Sequence, residues 1–150
     1  MNATIGITSD HGGRELKHLV SEYLRQQGFQ VLDFGVERND STSVDYPEFA
    51  AKLAKEVASG KVQRGIAICG TGIGMSIAAN KVPGIRAALV WDEFTARMSR
   101  QHNDANILCL GERVLNHMRA LDFVKVWLET PFEGGRHLQR VKKIADLERR

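Results

Sequence analysis

The chain has 150 residues, 43% hydrophobic and 26% charged, a length that predicts one domain burying roughly 70% of its unfolded surface and a composition that excludes wholesale disorder. The net charge of +3 is local: residues 136–150 hold six Lys/Arg against two Asp/Glu, and the rest of the chain sums to −1, so a small anionic ligand is expected and a nucleic-acid coat is not. No apolar run reaches the ~18 residues of a membrane span, Met1-Asn2-Ala3-Thr4 lacks a charged leader, and two cysteines cannot form a disulfide framework, so a cytoplasmic protein outside the membrane is expected.

In chain order, Thr4–Thr8 predicts a first strand. Leu16, Leu19, Val20, Tyr23 and Leu24 then line one face of a helix. Val31–Phe34 predicts a second strand, and the polar stretch Gly35 to Asp45 exceeds a usual connection of ~4–6 residues. Pro47 is an early helical residue ahead of the stripe Phe49, Ala50, Leu53, Ala54 and Val57. Gly65–Cys69 predicts the third strand, with helix through Ile77 to Lys81. Arg86–Val90 predicts the fourth, and Asp92 caps a helix carrying Phe94 and Met98. Ile107–Leu110 predicts the fifth, followed by helices over Leu115 to Leu128 and Arg136 to about Arg149, the last burying Val141, Ile144 and Ala145. The strand runs are apolar with little alternation, as in strands covered on both faces. Strand and helix alternate throughout, which predicts a single α/β domain over 1–150: a doubly wound, Rossmann-like three-layer sandwich with a mainly parallel sheet of about five strands.

Ligands of such sheets bind where loops leave the strands. Cys69-Gly70-Thr71-Gly72-Ile73-Gly74 places glycines at alternate positions, so backbone N–H groups can turn toward an anion and favour a thiolate at the loop's edge. Cysteine is also a common core residue, and Cys109, between Leu108 and Leu110 with no glycines beside it, reads as core. The glycine spacing does not fit the dinucleotide pattern G-x-G-x-x-G and follows the third strand rather than the first. Arg136 and Arg140, four residues apart on a helix, suit a phosphate, whereas Lys142, Lys143, Arg149 and Arg150 read as a solvated face. His11 and His102 fall in candidate strand-end loops, and His18 and His117 in helices. No histidine pair has the spacing of a zinc site, and no metal is expected.

Asp10-His11-Gly12-Gly13, Cys69-Gly70-Thr71-Gly72-Ile73-Gly74 running on to Ala79-Asn80-Lys81, Ser99-Arg100-Gln101-His102-Asn103-Asp104 and Gly134-Gly135-Arg136-His137 together resemble the family of ribose-5-phosphate isomerase B and the galactose-6-phosphate isomerase subunits. The resemblance implies a cofactor-free aldose–ketose isomerase acting on ribose 5-phosphate and ribulose 5-phosphate. It also implies a homodimer, able to pair into a tetramer, whose active sites draw on both subunits. Carried over by motif, Cys69 is the proton-transfer base, assisted by Thr71. Gly70, Gly72 and Gly74 with Asn103 hold the enediolate oxygen. His102 and Asp10 open the ring, while Arg113, Arg136, Arg140, His11 and His137 hold the phosphate. Some members carry a glutamate base where Met75 stands, and methionine cannot accept a proton. An isomerase of allose or galactose 6-phosphate would keep the same residues, and a nucleotide-binding module is the alternative from another class.

Overall fold

The computed structural model describes residues 3–149. Five parallel strands, β1 (Thr4–Ser9), β2 (Gln30–Asp33), β3 (Arg64–Cys69), β4 (Ala87–Leu89) and β5 (Ile107–Gly111), form one sheet in the order β2-β1-β3-β5-β4. Six helices cover it: α1 (Arg14–Gln26), α2 (Tyr46–Ala58), α3 (Ile73–Ala79), α4 (Glu93–Gln101), α5 (His117–Glu129) and α6 (Arg136–Asp146).

The central strands sort their side chains by the two-residue period of an extended chain. Ile66, Ile68, Leu108 and Leu110 face a core shared with Leu16, Val20 and Leu24 of α1 and with Ala120, Phe123, Val124 and Trp127 of α5. Ala67, Cys69, Ile107 and Cys109 face the opposite core, with Leu53, Ala54 and Val57 of α2 and Met75 and Ala79 of α3. Met75 is thus a packing residue, fully buried.

The chain leaves β1 for β2 on one side and returns past it to β3 on the other. The winding direction reverses between β1 and β3, the place where an open α/β sheet leaves a crevice at its carboxyl edge.

Several expectations need correction. β2 and β4 are edge strands: Leu32 is 38% exposed and β4 is only partly buried, because each has a neighbour on one side only. The helix after Cys69 begins at Ile73 and ends before Asn80 and Lys81, since the Asn80 side chain leaves the helix to bond both Ala87 N–H and Ala87 carbonyl on the open edge of β4. Phe94 is 63% exposed, and α4 instead buries Ala96, Ser99 and Arg100. The last helix stops at Asp146 and buries only His137. Val141 is half-buried, and Ile144 and Ala145 are exposed. The reason is how α6 meets the body. It is held at its ends, where Glu133 N–H donates to the Gln101 carbonyl and Gly84 N–H donates to Glu148 at 2.9 Å. Beneath it a cavity of about 780 Å³ opens against β4, with Ile85, Leu89, Met98, Ile144 and Leu147 in its wall. Lys142, Lys143 and Arg149 are exposed as expected, and Arg150 lies outside the described residues.

Candidate active site

Ser9 ends β1, and Asp10 caps the single 3-10 turn His11–Gly13, its carboxylate accepting Gly12 N–H at 2.8 Å. Asp10 is 7% exposed. Cys69 ends β3 one strand away. The loop after it is stitched to the end of β5: Glu112 N–H donates to the Cys69 carbonyl at 2.9 Å and Arg113 N–H to the Gly70 carbonyl at 3.0 Å. This brings the Arg113 guanidinium over the glycines. A methyl on Gly70 would stand 3.1 Å from its Nη1, and one on Gly12 would stand 3.3 Å from both Asp10 Oδ1 and Gly70 N and 3.5 Å from Arg113 Nη2. Asp10, His11, Cys69, Gly70, Thr71 and Arg113 therefore meet at one place on the carboxyl edge.

Gly72 gives the loop its shape. Its φ of +79° lies in the left-handed region, and a methyl there would reach 2.6 Å from Leu89 Cδ1 and 3.0 Å from the Leu110 carbonyl carbon. In that conformation Gly72 N–H donates to Cys69 Sγ at 3.2 Å. The Gly72 N–H thus points at the sulfur. A hydrogen bond to sulfur strengthens when the sulfur is an anion. Thr71 Oγ1 accepts Ile73 N–H at 3.2 Å, and Gly74 is open where the Tyr46 ring packs, 2.5 Å from where a methyl would sit. Cys69 itself is 5% exposed, at the carboxyl end of β3. Cys109 is fully buried, and burial, with Cys69 adding to it, pushes its thiol far above the ordinary range.

The remaining expected residues form a second group. His102 follows α4 and precedes β5, so it belongs to the amino edge of the sheet, not to a carboxyl-end loop. Asn103 is there too, its carbonyl accepting Arg86 Nε at 3.0 Å just before β4. The His137 ring, 4% exposed, stacks on His102 with centroids 4.1 Å apart and planes within 11°. His137 thereby forms a platform under His102. Its pKa is pushed down, first by burial and then by His102 and Arg136, with Arg140 adding to the effect and Glu133 opposing it. Arg136 and Arg140 are exposed beside it on α6. Within one chain the length of β5, four rises or about 13 Å, separates this group from Cys69.

Sequence spacing did not identify one cluster: ligand atoms of His102, Glu133 and His137 lie within 4.8 Å of one another. The two imidazoles meet face to face instead of converging edge-on, and Arg136 and Arg140 act electrostatically on His137, both unfavourable to a dication. Sequence reasoning also missed the loop wall. Val44 N–H donates to His11 Nδ1 at 3.1 Å, a contact between residues 33 apart that no local pattern signals.

The fold and this edge define a parallel α/β protein that presents a hydrogen-bonded thiol, a carboxylate and a guanidinium to a small anionic ligand. Comparison with known proteins gives the class a chemistry. The family model described as Ribose/Galactose Isomerase matches residues 5–144. The solved structure of Clostridium thermocellum ribose-5-phosphate isomerase B is 56% identical with a TM-score of 0.95, the match covering 97% of each chain. Ribose-5-phosphate isomerase B of Escherichia coli is 46% identical over 97% of each chain. A Mycoplasma genitalium ribose-5-phosphate isomerase B solved with bound ribulose 5-phosphate is 44% identical, TM-score 0.92, over 97% of this chain and 96% of that one. The chain belongs to the ribose/galactose isomerase family.

Proposed function

We propose that this enzyme interconverts ribose 5-phosphate and ribulose 5-phosphate through an enediolate, with Cys69 as the base. The observation that carries the reading is the hydrogen bond from Gly72 N–H to Cys69 Sγ at the crevice between β1 and β3, in a chain so similar to ribose-5-phosphate isomerases. The Cys69 thiolate removes the C2 proton of the open-chain aldose. The C–H electron pair becomes the C1=C2 bond and the carbonyl π pair moves onto O1. Return of the proton to C1, with transfer of the O2 proton to O1, leaves the ketose. The developing oxyanion needs donors fixed in advance, a role for Gly70 and Gly74 N–H with Asn103. Thr71 assists the base. Asp10 and His102 exchange the protons of ring opening, and His11, Arg113, Arg136 and Arg140 hold the phosphate, whose binding energy positions the reacting carbons.

The two groups of residues sit on opposite edges of one chain's sheet. A substrate a few ångströms long cannot touch both, so the active enzyme is a dimer in which α6 and the His102 turn of one subunit complete the Cys69 crevice of the other. Exposed Ile73 and Ile77 on α3 and Leu138, Ile144 and Leu147 at α6 support such a contact, because isolated chains seldom leave so many large apolar side chains in water. Both cysteines are unpaired, a state that a reducing cytoplasm maintains.

Replacement of Cys69 by Ala tests the base. The variant should fold and bind the sugar phosphate while kcat falls about a hundredfold to ten-thousandfold, the usual contribution of a positioned base. Near-normal turnover would remove Cys69 from the mechanism.

A further inference from the structure

Lys17 takes no part in the chemistry above, yet it is one of the few charged side chains inside the molecule, 3% exposed. A charged amine is retained in such a place only when its donors are all engaged. Those of Lys17 are. Nζ reaches both oxygens of Asp33, at 2.9 and 2.7 Å, and also donates to the Val36 carbonyl. Asp33 Oδ1 in turn accepts Gly35 N–H at 2.9 Å. The lysine on α1 therefore grips the chain on both sides of Gly35, where β2 gives way to the loop 34–45. At that point the backbone is pressed against the end of β1: a methyl on Gly35 would lie 2.4 Å from Ser9 N, and Val36 N–H donates to the Ser9 carbonyl at 3.2 Å.

From this grip the loop runs over exposed residues 37–43 and returns to the crevice. Arg14 bridges its middle, donating to the Arg38 carbonyl at 2.9 Å and to the His11 carbonyl at 3.0 Å. Its far end arrives with Val44 N–H on His11 Nδ1, and Tyr46 then packs over Gly74. A backbone N–H can meet only an unprotonated ring nitrogen, so this bond leaves the imidazole proton on Nε2. Which nitrogen of a histidine carries the proton is decided by the bond the other one makes.

We propose that Lys17 is a positioning residue for His11, anchoring the 34–45 loop so that Val44 N–H holds the imidazole as a single Nε2–H tautomer, ready to donate to the substrate. The last clause rests on the reading of His11 as a substrate contact. The first does not, and the two separate by experiment.

Lys17→Met keeps the apolar stem and removes the donors, and Asp33→Asn weakens the same grip from a half-exposed side chain. Long-range proton–nitrogen correlation of the ligand-free proteins, with the His11 signals assigned by their loss in His11→Gln, reads the tautomer directly. The native protein should give one protonated and one unprotonated nitrogen. In both variants the two signals should move toward each other as the tautomers exchange, while KM for ribose 5-phosphate rises about tenfold and kcat stays within about twofold. A locked Nε2–H tautomer in a folded Lys17→Met protein overturns the proposal. If that variant does not fold, the same result in Asp33→Asn overturns it. An unchanged KM in His11→Gln would instead remove His11 from the substrate and leave the tautomer result standing.

Discussion

Cys69 and Cys109 stand on neighbouring strands and face the same core, yet one is a candidate reagent and the other is inert. The register pairs Ala67 with Cys109 and Cys69 with Gly111, so their Cα atoms are offset by two residues, about 8 Å, too far for a disulfide. The difference comes from the backbone: Cys69 receives an N–H from a left-handed glycine, and Cys109 is wholly buried in the core. His137 makes a comparable point about charge. Its pKa lies below the ordinary 6.5 because burial, His102 and Arg136 disfavour the cation. As pH falls below about 6.5 the unfolded chain takes up this proton and the folded one does not, so the group costs stability over that window. Melting temperature should therefore drop between pH 7 and 5 more steeply for the native protein than for His137→Gln. Parallel slopes would show that the ring titrates no differently folded than unfolded.

Elements are held by devices at their ends. Asp92 and Thr95 form a reciprocal cap at the start of α4, with Thr95 N–H donating to Asp92 Oδ1 at 2.7 Å and Asp92 N–H to Thr95 Oγ1 at 3.3 Å. Thr95 N–H and, at 2.7 Å, the Thr95 hydroxyl both donate to the Asp92 carboxylate and hold it below its usual range, a stabilisation present above the unfolded value and lost as pH falls through the folded one. Asp92→Ala should lower the urea midpoint of unfolding at pH 7, because the first N–H groups of α4 lose their acceptor. It should leave KM unchanged, since the Asp92 carboxylate is spent on Thr95 and belongs to neither group of site residues. An unchanged midpoint would mean that packing alone fixes α4. The loop 34–45 is the counter-example among the elements. It has neither helix nor strand to hold it, and its order depends on Lys17, Arg14 and the His11 ring.

For the whole molecule the decisive geometry is the separation of two half-sites by the length of the sheet. The proposed two-fold dimer would bring each half against the other half's partner, and that arrangement can be read by mixing. Cys69→Ala and Arg136→Ala proteins, each nearly inactive, should regain about a quarter of native activity when unfolded and refolded together. Random pairing makes half the dimers mixed, with one intact site of two. No recovery would place both residues in one chain's site.

How much of this was legible in the sequence follows from the range of the forces involved. The order of strands and helices, a sheet covered on both faces and the glycine loop after Cys69 were readable, because apolar periodicity and glycine spacing act over a few residues. The exposed face of α6 misled, since its stripe is apolar whether it meets its own chain or another. The His102–His137 stack, the grip of Lys17 on Asp33 and Val36, and the bond from Val44 to His11 join residues 16 to 35 apart. Local sequence determined which residue types stand in the loops at the strand ends. Only tertiary structure decided which of them meet, because a contact across a sheet is set by the winding of strands and leaves no pattern along the chain.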